Sequence, residues 1–369
     1  MRKNGTPVLA FVLICTLIIG MIFLSWFVSD HRYSEGLGVV SHGIGRNDNQ
    51  NYPIFDRKED QENYYLTYDW MDFDGTHRSF SFPLSKTSLN EAEKEFGYFP
   101  ADLQKHLDDR LVRSEEKMIK DLLVFVEELI RKSGYSEYIK LDNVTNKSFR
   151  LKLSVPPSLQ KKVKKEFDRI KTKLAKEQDK YRKRVEREQE DGKAEFLASR
   201  GLRLIDGKIT VDHGFCVRMN RDRIIPIFKI MYENNRTLSL HQFLGLLLSF
   251  VQDIRYYIPP VQERGKIILS FWLPLRVLAD NFGDCDSKGV TFASFWVNFK
   301  KYPLLLITVP GHFFVGLAIP SYSGEGLVVN GVRYTLCEVT GPGKIPPGMI
   351  GRYSSVCLQK GQYVYELVN

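Results

Sequence analysis

The run from Val8 to Val28 holds about 21 residues without a charge, against the roughly 20 that a helix needs to cross the hydrocarbon of a bilayer. A chain carrying such a run is expected to be held in a membrane by it. A cleaved secretory signal differs on two counts, since its apolar core usually spans about 7 to 15 residues and ends at small side chains. Here the run ends at Trp26-Phe27-Val28. Cys15 does not read as a lipoprotein signal either, because bulky Ile14 precedes it and apolar residues continue past it. Arg2 and Lys3 precede the run, whereas Asp30, His31, Arg32 and Glu35 beyond it nearly cancel. The positive-inside bias therefore predicts a single-pass protein with its N-terminus in the cytoplasm and its body on the far side.

With 369 residues, the chain has room for an anchor (1–30), a tether and one large or two modest domains. Residues 31–60, rich in Gly, Asn and Ser in their first part, read as the tether. Tyr64–Trp70 and Arg78–Phe82 alternate aromatic and polar residues around Asp74-Gly75, the pattern of a β-hairpin with a tight turn. Leu103, Leu107, Leu111, Met118, Leu122, Phe125 and Leu129 recur along one face of a long helix that Gly134 ends. After a strand at Phe149–Val155, Pro156-Pro157 introduces a second long helix with a narrow seam of Val163, Phe167, Ile170, Leu174 and Tyr181. The two helices are expected to pack as an antiparallel pair, with a partner or a lipid surface docking on the charged helix 158–190 as the alternative. Composition turns apolar after about residue 190 to 210, so the expected division is 61–200 for hairpin and helices and 201–369 for a catalytic domain.

The net charge of +9 draws attention to nucleic acid, but much of the excess lies in Lys161–Arg187 and no recognition motif accompanies it. No nucleic-acid partner is expected. Of five cysteines, one lies in the apolar run, and Cys216, Cys285, Cys337 and Cys357 form neither a disulfide framework nor a CxxC pair. In an oxidising compartment Cys337 and Cys357 could pair, a matter of distance that the sequence leaves open. No nucleotide-binding or metal-binding motif appears, so neither a cofactor nor a metal is expected.

Asn281-Phe282-Gly283-Asp284-Cys285 is a turn that opens a helix, placing Cys285 at a helix N-terminus where unpaired N–H groups favour thiolate. The same groups are suited to hold an oxyanion. Asp284 and Asp286 flank the thiol and would raise its pKa unless engaged as helix caps. At 27 residues further on, Pro310-Gly311-His312 starts a strand and offers a firmly held imidazole as general base. Glu338, on a later strand, is the acid that would orient that imidazole. Phe271-Trp272-Leu273-Pro274 is expected to wall the cleft, and Gln252 is a weaker candidate for an oxyanion donor.

Gly283-Asp284-Cys285-Asp286-Ser287, Pro310-Gly311-His312 and Glu338-Val339-Thr340, with the lead-in segment Leu247–Tyr256, resemble the transglutaminase-like superfamily of papain-type thiol enzymes, in particular its bacterial and archaeal cysteine-peptidase-like branch. The resemblance covers roughly Val211 to Gly351; Val339 replaces the usual Thr, and the Pro/Gly-rich 341–348 loop departs from the pattern. It implies an α+β papain-like core, in which a helix bearing Cys285 packs on an antiparallel sheet bearing His312 and Glu338. It also implies attack on a peptide or isopeptide amide of a protein or peptide substrate through a thioester, with hydrolysis favoured over transfer to an amine. An inactive scaffold of the same fold at the cell envelope is the alternative.

Overall fold

The computed structural model describes residues 9–15 and 54–368, apart from 321, 322 and 342. The protein is α+β and divides into two compact units. One gathers Gln104–Lys193 with the strand Leu9–Cys15; the other joins the region up to Leu103 with everything from Ala194 onward.

In the first unit, the helices Pro100–Ser133 and Gln160–Ala198 contribute most of their length. Gly134 ends the former in the left-handed region, which only glycine enters without strain. Pro156 and Pro157 lead into the latter through a single 3₁₀ turn. Met118, Leu122 and Val126 of one helix meet Val163, Phe167, Ile170 and Leu174 of the other over the buried face of the Phe149–Val155 strand. Ser114 donates to Glu188 and Tyr181 to Asp121, so later residues of one helix face earlier residues of the other and the pair is antiparallel. The seam is thus filled from within the chain, and what the second helix shows outside is charge.

Leu9–Cys15 pairs antiparallel with Phe149–Val155, whose opposite edge carries Ile139–Asp142. The described part of the run expected to form a membrane helix is therefore extended. Its apolar and β-branched residues suit a sheet, and there it covers what would otherwise be an open strand edge. The rest of that run, 16–28, and most of the tether lie outside the described residues. Among the described residues, no helix is long and apolar enough to cross a membrane.

The second unit differs from the expected division. The hairpin forms as read, Asn63–Met71 pairing with His77–Ser85 around Gly75. It belongs, however, with the residues beyond 194 and not with the two long helices. The reason is its aromatic face: Tyr68, Trp70 and Phe80 all lie against the ring of Phe250, on the helix Leu240–Asp253. Trp70 Nε1 also donates to Ser249 Oγ at 3.0 Å. Ile54–Glu59, expected as tether, is a third strand beside Asn63–Met71, and its Arg57 pairs with Asp280 at 2.9 Å.

Five antiparallel strands form the sheet that receives the chemistry, in the order Gly326–Val329, Val332–Cys337, His312–Leu317, Leu304–Val309 and Val364–Val368. The helix Cys285–Trp296 packs on it, and every residue from Ser287 to Trp296 is buried. Its buried Thr291 and Ser294 hydroxyls are satisfied within the helix, donating to Ser287 O and Val290 O, both at 2.8 Å. Because Phe250 receives three aromatic neighbours from the hairpin, Phe250→Ala is expected to destabilise the protein by about 3–5 kcal/mol. Denaturant titration checks this, and a loss under about 1 kcal/mol would mean that the hairpin does not rest there.

Candidate active site

The cysteine helix is fixed at its start by Asp284, whose side chain accepts the N–H of Ser287 at 3.2 Å. Cys285 is the first helical residue and is half-buried. One turn further on, Gly289 lies directly against the ring of Phe313 and near Val339; a Cβ there would overlap the ring. Phe313 follows His312, and Val339 follows Glu338. Residues four apart share a helix face, so the face of the helix that carries Cys285 meets Phe313 and Val339, the chain neighbours of His312 and Glu338.

His312 Nε2 donates to Glu338 Oε2 at 2.9 Å, and the other carboxylate oxygen accepts the N–H of Thr340 at 3.1 Å. Glu338 is only 4% exposed. Burial works to raise its carboxyl, but the bond and charge of His312, with the Thr340 bonds, outweigh it and hold the group below the ordinary range. With Nε2 taken, Nδ1 is the nitrogen left to exchange a proton with a nucleophile. No hydrogen bond joins it to Cys285 Sγ among the described residues. Catalytic hydrogen bonds of this kind are often long before substrate binds.

The acid is held in place from behind. Lys288 is 0% exposed, and its Nζ donates to the carbonyls of Gln252, Ile254 and Thr340 at 3.2, 2.7 and 2.9 Å. Burial pulls its pKa down to about 7, while three carbonyl acceptors match the three protons of an ammonium. Gln252 spans the same gap. Its amide donates to Glu338 O at 2.7 Å and Ile345 O at 2.8 Å, and its oxygen accepts the N–H of Ile345 at 3.2 Å. Gln252 is therefore a tether for the acid-bearing arm and not an oxyanion donor, its amide being already engaged. Lys344 pairs with Asp253 at 2.8 Å, and Gly341 fits so tightly on the Gln252 carbonyl that a Cβ would overlap it.

The thiol itself differs from expectation. Burial, then the charges of Asp286 and Asp284, push it well up; the N–H of Asp286 pulls the other way and loses. The two carboxylates are unequal. Burial and then the charge of Asp286 raise Asp284, so Asp284 takes the proton that the pair shares. Asp286 stays ionised because, against its burial, His213 Nε2 meets it at 3.1 Å. Tyr256 lies in the same field: burial, then Cys285 and the two carboxylates, push its phenol up to about 12.

Cys285 opens a helix and His312 a strand, as the sequence suggests, whereas the strand expected to carry Glu338 ends one residue before it, at Cys337. Sequence reading missed His213, Lys288 and Tyr256. Lys288 sits one turn from the thiol, and nothing local marks it as turned inward. Cys216, Cys337 and Cys357 are buried and free, so the 337–357 pair is not formed. Among the described residues, no group of His, Cys, Asp or Glu stands together as a metal site.

Lys288→Met removes three donors from buried carbonyls, and an unsatisfied buried group costs roughly 1–3 kcal/mol. A loss of about 3 kcal/mol or more is expected in thermal or denaturant unfolding, whereas a neutral result would mean water replaces the ammonium. For Glu338 the folded pKa lies below the unfolded one, so its contribution is present above the ordinary glutamate value of roughly 4.3 and is lost as pH falls through the folded value. The stability advantage of wild type over Glu338→Gln should accordingly be full at pH 7 and shrink in acid; an advantage independent of pH would show that the His312 pairing does not set it.

Compared with known proteins, the chain matches no family model, no curated protein sequence and no solved structure.

Proposed function

We propose that this protein is a cysteine enzyme that cleaves peptide or isopeptide amides through a thioester, with Cys285 as nucleophile, His312 as acid–base and Glu338 as its orienting partner. The observation that carries this reading is the bond of His312 to the buried Glu338 at 2.9 Å, on segments whose next residues, Phe313 and Val339, receive the cysteine helix at Gly289. The motif resemblance to transglutaminase-like thiol enzymes points the same way.

In this scheme, His312 takes the thiol proton as Cys285 sulfur bonds to the carbonyl carbon. The C–N bond then breaks, and the leaving nitrogen takes the proton from His312. Water, deprotonated by the same imidazole, splits the thioester and releases a carboxylic acid and the free thiol. Transfer to an amine differs only in the last nucleophile. The N–H of Cys285 itself is the donor at the start of the helix that is left to serve the oxyanion, since that of Ser287 is taken by Asp284. Because the resting thiol is pushed up, the proton moves only as the carbon–sulfur bond forms, and no preformed ion pair is needed.

The raised thiol is also the observation that favours an inactive scaffold, and one experiment separates the two readings. A carbonyl-directed peptide electrophile should label wild type at Cys285, read by peptide mass spectrometry. Labelling should disappear in Cys285→Ala and fall at least about 100-fold in His312→Ala, in line with the 10²–10⁴ that general bases supply. Equal labelling of wild type and His312→Ala would leave the scaffold.

Attachment to a membrane, with the N-terminus in the cytoplasm and the enzyme beyond it, rests on the apolar run 8–28 and the charges flanking it. It requires Leu9–Cys15 to leave its place beside Phe149–Val155. The full chain should then stay with membranes through carbonate extraction, and deletion of residues 1–30 should release it; full release of the intact chain would favour the strand.

A further inference from the structure

A cavity of about 410 Å³ opens beside the candidate active site, walled by Phe96, Phe271 and Trp272. Its far wall backs onto the cysteine turn. The N–H of Trp272 donates to Ser287 Oγ at 3.0 Å, two residues past Cys285. The ring of Phe271 stands 5.6 Å from His213, which holds Asp286. Trp272 is flanked by the Tyr257 ring at 5.3 Å, and Tyr256 beside it lies in the field of the thiol. Tyr256, Tyr257, Ile258 and Val261 are all exposed; Tyr256 pairs with Gly283 just before the cysteine, and Val261 accepts the N–H of Ile268, in the cavity wall, at 2.9 Å. Contiguous exposed apolar surface of this kind marks a binding groove.

The cavity's charges are unbalanced. Lys94, Arg264, Lys266 and Arg276 line it against two carboxylates, Glu93 and Glu263. Both carboxylates are engaged by Arg276, at 2.9 and 3.6 Å, and Lys266 is turned to the backbone carbonyls of Glu93 and Lys94. Lys94 and Arg264 are left exposed at the rim, with no carboxylate partner among the described residues. Arg264 and Gly265 both have positive φ, at 49° and 83°, and form the two-residue turn between the short strands Gln262–Glu263 and Lys266–Ile267. Such a turn presents the guanidinium on a fixed backbone.

We propose that this cavity is a specificity subsite for an acidic side chain of a polypeptide substrate lying along 256–261, at a position removed from the amide that Cys285 attacks. The proposal rests on the thiol-enzyme reading for its position in the reaction, and on two cations without carboxylate partners at the rim of an aromatic-lined cavity for its chemistry. A carboxylate on a short aliphatic stem fits both, its charge at Lys94 and Arg264 and its stem on the exposed ring of Phe99, the Trp272 ring being covered by Arg276 and Tyr257.

Binding is tested apart from chemistry with the full-length Cys285→Ala chain, using fluorescence anisotropy of a fluorescein-labelled eight-residue peptide bearing a Glu pair and its Gln-pair version. The Glu peptide should bind at least about ten-fold more tightly, and the double variant Lys94→Glu with Arg264→Glu should abolish or invert the difference. Lys161→Glu with Lys162→Glu, in the basic helix, should leave it unchanged. Equal binding of the two peptides would overturn the subsite, as would a preference that survives the Lys94/Arg264 reversal or vanishes with Lys161/Lys162. Electrophile versions of the same peptides distinguish the two proposals on the active chain: labelling of Cys285 indifferent to the Glu pair sinks the subsite alone, whereas acid-selective binding without labelling sinks the thiol chemistry alone.

Discussion

Everything at the candidate site depends on how the cysteine helix is seated, and the seat combines a missing side chain with a buried charge. At Gly289 the helix backbone reaches the Phe313 ring with nothing between. One residue earlier, Lys288 carries an ammonium into a region where burying a charge without partners would cost several kcal/mol. The carbonyls that receive it explain why it is tolerated. Gln252 and Ile254 stand at the end of the helix Leu240–Asp253, where the last carbonyls have no partners within their own helix. The ammonium caps that end from a neighbouring helix, and its third bond, to Thr340, draws in the arm that bears Glu338. A helix terminus, a strand exit and the cysteine helix thus share one polar joint.

The same joint shows why chemistry was more legible than its support. Cys285, His312 and Glu338 could be placed because each is announced locally: a Gly-Asp cap before a helix, a Pro-Gly turn before a strand, an acid at the end of an alternating run. Their supports are announced nowhere. His213 lies 73 residues from Asp286, and Trp70 lies 179 residues from Ser249. A lysine in a helix ordinarily reads as solvent-facing, and only the three-dimensional meeting of carbonyls makes Lys288 internal.

Grouping failed for a related reason. The alternating aromatic residues mark the hairpin as a half-buried sheet, but the sequence does not say what covers it, and Phe250, far along the chain, provides the cover. Ile54–Glu59 escaped notice because an edge strand needs few apolar residues when only one rim of it pairs. Leu9–Cys15 illustrates the remaining ambiguity. Seven apolar residues carry no periodicity that separates a buried strand from part of a longer helix, and the run was assigned by its length alone.

The electrostatics around the sulfur set how such a site would have to work. Two carboxylates beside a thiol are a liability for a nucleophile, and the structure limits it in two ways: Asp284 holds the shared proton and caps the helix, and Asp286 is matched to His213. What remains, burial above all, still favours the neutral thiol. A neutral sulfur is a poor target for oxidants and for adventitious electrophiles, since both react with thiolate. Under the proposed chemistry, reactivity would then arise only when a carbonyl and the His312 imidazole meet the sulfur together, so substrate binding would govern the reaction as much as the residues that carry it out.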